Sequence, residues 1–135
     1  PYINVKFETY SYTGGAHGIT SFTTLVFDAR NGKIVTANDM FGSEYLETIS
    51  QLSLLEIKKI DPDLKTYVFA DSGLKPMLDN FSTWEILPEG LRFTFGHYQI
   101  GPYTVGSPEV TIVWESLSSI LKSEFIQSLK IAQEN

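Results

Sequence analysis

The stretch Phe95-Gly96-His97-Tyr98-Gln99-Ile100-Gly101-Pro102-Tyr103-Thr104-Val105-Gly106-Ser107-Pro108-Glu109-Val110-Thr111-Ile112-Val113-Trp114 decides how this chain is read. Glycines at 96, 101 and 106 and prolines at 102 and 108 interrupt an aromatic-rich run, fixing backbone shape at nearly every turn. A plain core strand has no need of that. The tail, Glu109 to Trp114, alternates Val110 and Ile112 against Val113 and reads as a last strand.

A second stretch, Tyr10-Ser11-Tyr12-Thr13-Gly14-Gly15-Ala16-His17-Gly18, repeats the same Tyr, Gly and His vocabulary some eighty positions earlier. The two are expected to meet in space. From Tyr2 to Tyr12 β-branched and aromatic residues predominate, with Ile3, Val5 and Phe7 on one face and Lys6 and Glu8 on the other. Tyr10 and Tyr12 fall on the opposite parity, so the strand is covered on both sides there or a bulge shifts its register. Ile19 to Ala29 is a second strand pairing back as a long hairpin. Asn31-Gly32 closes a tight turn into a short third strand, Lys33 to Val35.

Thr36 with Asp39 matches a capping box, and a helix from Ser43 to about Ile60 carries Leu46, Ile49, Leu52, Ile57 and Ile60 as its apolar stripe. Asp61-Pro62-Asp63 predicts a short helix through Tyr67 and Val68. Phe81 to Leu87 and Leu91 to Phe95 are strands around Pro88-Glu89-Gly90, with Leu91, Phe93 and Phe95 alternating inward; Trp84 and Trp114 fall in strand patterns and read as core. Leu117, Ile120, Leu121, Phe125 and Leu129 recur at helical spacing, so one final helix begins at Glu115 or Ser116 and packs across the sheet. The fold class expected is α+β in two layers, a mainly antiparallel sheet with helices on one face.

At 135 residues the chain fits a single domain, residues 1–135, burying about two-thirds of its unfolded surface. Without cysteine there is no disulfide and no thiolate nucleophile. The net charge of -6 and the lack of a Lys/Arg stripe argue against nucleic acid and favour basic partners. No apolar run reaches the roughly 18 residues that cross a bilayer, and Pro1 opens in strand-like sequence with neither a basic segment nor an apolar signal core. The chain therefore reads as a domain excised from a longer protein whose export signal or anchor lies elsewhere, membrane contact coming only through that anchor.

Tyr-x-Tyr-x-Gly-Gly-Ala-His at 10–17, Tyr-Gln-Ile-Gly-Pro-Tyr-x-x-Gly-x-Pro-Glu-Val at 98–110 and Gly32-Lys33-Ile34-Val35-Thr36-Ala37-Asn38-Asp39-Met40-Phe41 together resemble the signatures of the RsiV-like domain. That domain ends the bacterial anti-sigma factor RsiV outside the membrane and accompanies PdaC-type peptidoglycan deacetylases. The resemblance implies an extracytoplasmic location, in the periplasm or at the cell surface. It also implies a binding or sensing role, with lysozyme, a basic protein, or a cell-wall component as partner. Deacetylase chemistry in that family belongs to a separate domain with its own metal ligands, and nothing like them occurs here. A spacer between an anchor and another domain is the plainer possibility.

The residues themselves give little support to catalysis. His17 and His97 are the only histidines and lack local zinc spacing such as His-x3-His; no metal or other cofactor is expected. Gly14-Gly15 lacks the Lys and the helix of a phosphate loop, and no serine sits in Gly-x-Ser-x-Gly. What remains is a preshaped loop surface, since tyrosines supply contact area at low entropic cost. Its expected contacts are His17, Tyr98, Pro102 and Tyr103. The alternative is that the same tyrosines pack over the last helix while the glycines merely turn the chain.

Overall fold

A computed structural model describes residues 1–134, with side chains through Lys130. β1 (Tyr2–Ser11) and β2 (Ile19–Asp28) form the long hairpin, paired without a bulge from Tyr2↔Asp28 to Ser11↔Ile19. β3 (Lys33–Ile34) adds two residues beyond the Gly32 turn. Asp28 holds that turn by accepting the Arg30 main-chain N–H and both ends of its guanidinium fork. Those bonds keep the Asp28 carboxyl below the usual carboxylate range.

α1 (Ala37–Met40) starts where Thr36 and Asp39 were expected to cap: the Asp39 carboxylate accepts the Thr36 N–H at 2.7 Å. α2 (Tyr45–Ile60) follows, and Ile49, Ser53 and Ile57 are its buried line. Ile60, read as part of the stripe, is 69% exposed. α3 (Ala70–Gly73) and a 3-10 turn (Leu78–Phe81) lead into β4 (Trp84–Ile86), β5 (Gly90–Thr94) and β6 (Glu109–Val113). α4 (Trp114–Leu117) and α5 (Ser123–Glu134) complete the chain.

The α+β class and the antiparallel pairing hold, but the single sheet expected from the strand count is two: β1-β2-β3 and β4-β5-β6. The reason lies in two polar side chains. Asn4 accepts the Ile86 N–H at 2.9 Å and donates to the Ile86 carbonyl at 2.7 Å, while the Thr24 hydroxyl accepts the Trp84 N–H at 2.9 Å. The hairpin thus meets the free edge of β4 through side chains in place of a main-chain ladder, and the edge is satisfied without merging the sheets. Lys6, Glu85, Arg92 and Glu109 reinforce the junction with alternating charge, Arg92 to Glu85 at 3.0 Å and Lys6 to Glu109 at 3.1 Å.

Leu91, Phe93 and Phe95 do point inward, each at most 1% exposed, and Trp84 and Trp114 pack partly buried against the core. Two other expectations fail. Asp61-Pro62-Asp63 opens no helix, because the Asp61 carboxylate accepts the N–H groups of Lys65, Thr66 and Tyr67, and Leu64 takes φ 52°. That curls the chain into a capped turn. The final helix is broken as well: Gly42 N–H donates to Ile120, Lys122 N–H donates to Met40, and Phe41 bridges Leu121. Pairing with the segment after α1 outcompetes helix continuation, and α5 restarts at Ser123.

Candidate functional site

The hairpin loop and the 96–106 segment come together. Gly14 and Gly15 both take φ near 100°, a conformation closed to other residues, and Tyr12 Oη donates to the Gly15 carbonyl at 2.9 Å. This turn carries His17 onto Tyr103, where the rings stack at 3.5 Å between centroids and 11° between planes. His97 lies against the same phenol ring at 4.7 Å, and Tyr98 at 6.0 Å. Tyr103 is therefore the hub of a four-ring cluster drawn from both stretches, with the His17 ring face to face on it and the His97 and Tyr98 rings tilted against it.

The second stretch is held from beneath. Ile100 is fully buried and accepts the Phe69 N–H at 3.1 Å. Gln99 is the main pin: its Oε1 accepts the Gly96 N–H at 3.0 Å, and its Nε2 donates to the carbonyls of Gly73 at 3.0 Å and Asn80 at 2.9 Å. With Gln99 and Ile100 fixed just after it, Tyr98 sits at φ 65°, unusual for a bulky residue, and is 46% exposed. Pro102, exposed at φ -67°, opens the 3-10 turn Tyr103–Val105 that presents the hub. Strain at Tyr98 is thus held by polar contacts one residue away, as at preshaped binding surfaces.

Of the four contacts read from sequence, His17, Tyr98 and Tyr103 join through their rings and Pro102 shapes the turn beside them. Sequence reading did not assign His97 to the Tyr103 ring, nor Gln99 as the pin; a glutamine between Gly96 and Gly101 was the available signal. Among the described residues, Tyr98 and Tyr103 pack with His17 and His97, whereas the ring partners of Phe125 on the last helix are Tyr2 and Trp114. His97 Nδ1 is buried and has no hydrogen-bond partner among the described residues. Among the described residues no three of His, Cys, Asp and Glu are grouped to hold a metal ion. Beside the cluster a cleft of about 250 Å³ runs between β2 at Ile19–Phe22 and a wall containing Asp79, Thr94 and His97.

These features define an α+β domain with two small antiparallel sheets and an aromatic loop cluster at one end. The chain belongs to the family described as protein of unknown function DUF3298, whose model matches residues 38–115. Its N-terminal hairpin lies outside that match, although it supplies His17. Among curated proteins the chain is 28% identical over 130 residues to the peptidoglycan-N-acetylmuramic acid deacetylase PdaC of Bacillus subtilis, covering 95% of this chain and 28% of PdaC. It therefore spans little more than a quarter of that relative. A crystal structure of a DUF3298 family member from Bacteroides fragilis superposes with TM-score 0.75 at 25% identity, over 96% of this chain and 52% of that one. A DUF3298 family protein from Pseudomonas aeruginosa gives TM-score 0.66 at 20% identity, over 90% and 56%.

Proposed function

We propose that this chain is a non-enzymatic, extracytoplasmic binding domain of a bacterial envelope protein, and that the surface formed by His17, Tyr98, Pro102 and Tyr103 takes a basic, cell-wall-associated protein of the lysozyme kind. One observation carries the reading: two loops eighty residues apart converge on the Tyr103 ring, which supports a surface shaped before any partner arrives. The RsiV-like signatures support it, as does the net charge of -6, which favours encounter with a cationic partner. Similarity to PdaC supports an envelope setting.

The same similarity favours a second reading, an accessory domain of a peptidoglycan-modifying enzyme, because 95% of this chain matches only 28% of PdaC. Calorimetric titration with lysozyme separates the two. Binding on the order of tens of micromolar or tighter, weakening as salt rises from about 20 to about 300 mM, is the expected result. No heat at either salt, together with retention on purified peptidoglycan, overturns the first reading in favour of the second.

A further inference from the structure

The edge of β2 away from β1 is only partly paired. Ala29 N–H donates to the Pro1 carbonyl, so odd-numbered residues of β2 turn their main-chain groups toward β1. Val26 accepts the Val35 N–H at 2.7 Å from the other side, so even-numbered residues face away. β3 pairs only at Phe27↔Ile34 and Asp28↔Lys33. From Thr20 to Phe22 the outward groups consequently have no strand partner among the described residues. Such an edge ordinarily invites pairing and is protected by charge, proline or a bulge, and Ile19–Phe22 carries none of these.

This edge is set inside a cleft. It forms one wall of the cleft of about 250 Å³, with Thr94, Gly96 and His97 opposite and Asp79 exposed on the same lining. One end is shut, because Thr83 Oγ1 donates to the Phe22 carbonyl at 3.4 Å and the Trp84 N–H is taken by Thr24. The open length, Ile19 to Phe22, accommodates about three to four residues of extended chain at roughly 3.4 Å each. Thr20 N–H, Thr20 C=O and Phe22 N–H repeat every second residue, matching the donors and acceptors of a main chain and of no small ion.

We propose that this cleft binds a short extended peptide by strand addition to the Thr20–Phe22 edge of β2, preferring a peptide with a basic side chain facing Asp79. The peptide main chain supplies the hydrogen bonds irrespective of most of its sequence, and Asp79 supplies the charge preference. The cleft borders the aromatic cluster and shares His97 with it. The peptide is held by the Thr20 and Phe22 main chain and by Asp79, none of which belongs to the aromatic surface, so either reading can fail without the other.

The test is a titration of the whole chain, observed by amide NMR, with the blocked peptide acetyl-Ala-Lys-Ala-Lys-Ala-amide. The Thr20 and Phe22 amides should shift and gain protection from exchange, while those of Lys6 and Glu8, on the open edge of β1, stay unchanged. T20P removes an N–H from the open edge but none from the β1 ladder, and should weaken binding about tenfold or more. Should T20P not fold, the peptide N-methylated at alternate residues on the intact protein gives the same comparison. Asp79→Asn should lower affinity about threefold for the lysine peptide and not for an all-alanine one. Absence of shifts at Thr20 and Phe22, shifts at the β1 edge in their place, or equal binding of the N-methylated peptide would overturn the proposal.

Discussion

Gln99→Ala removes the pin under the aromatic surface, and its cost can be worked from the contacts. Three hydrogen bonds of 2.9 to 3.0 Å are lost, leaving the Gly96 N–H and the carbonyls of Gly73 and Asn80 without that partner. At about 1 kcal/mol net for each bond the loss is about 3 kcal/mol. An unfolding entropy of about 2.1 cal/mol/K per residue gives about 0.28 kcal/mol/K for 135 residues. Differential scanning calorimetry should therefore show the midpoint falling by about 10 °C. Q99E keeps the shape but sets a carboxylate against two carbonyl oxygens. It should be the more damaging change at pH 7 and recover in part as pH falls, beginning above the ordinary Glu range because the two carbonyls and burial raise the carboxyl's pKa, once the protonated group can donate to one of them. A Q99A midpoint within about 2 °C of the parent would refute the pinning argument.

Tyr98→Gly relieves the positive φ at position 98 and should leave the melting temperature unchanged or raised by about 1 to 3 °C, while weakening partner binding, measured by calorimetry on one preparation. Gly73→Ala drives a Cβ into the Gln99 carbonyl oxygen; a midpoint loss of at least about 5 °C is expected, with the Tyr98 and Tyr103 resonances displaced. Asp61 has its pKa lowered chiefly by the Tyr67 N–H, with Thr66 and Lys65 adding to it. Its folded value lies below its unfolded one, so its stabilisation is fully present above the unfolded pKa and is lost as pH falls through the folded value. Asp61→Asn should accordingly melt below the parent at neutral pH, and the difference should vanish as acid protonates the parent's carboxyl.

Much of the architecture was legible because periodicity reports what is buried. Leu91, Phe93 and Phe95 alternate with a period of two, and the Ile49–Ile57 stripe follows the helical one; both describe core. Side-chain competition for main-chain groups was not legible. Asp61 before Pro62 looks like a helix cap, and only the folded chain shows its carboxylate reaching four to six residues ahead. Likewise Leu117 to Leu129 keeps helical spacing through a break imposed by Phe41 and Met40, partners about eighty residues away. Asn4 and Thr24, ordinary strand residues in the sequence, divide what the strand count suggested was one sheet.

At the site, the matching vocabulary of the two loops anticipated their meeting, since paired glycines and tyrosines mark chain that is shaped for contact. Chemistry confined to a single residue stayed hidden. Gln99 gives no signal beyond its place between two glycines, and it acts through atoms at positions 73 and 80. The open β2 edge is also invisible in sequence, because it depends on how short β3 is and on where Thr83 closes the cleft.

The measurement that bears most directly on the account is an NMR titration of the domain with lysozyme, following ring protons of His17, Tyr98 and Tyr103. Before lysozyme is added, cross-relaxation between the His17 and Tyr103 rings should be present, as a 3.5 Å stack requires. On addition all three should shift along one isotherm, in proportion to the heat measured by calorimetry. Rings that show no mutual contact in the free domain, or that stay unmoved while lysozyme perturbs a distant face, would contradict the claim that these loops form one preshaped recognition surface.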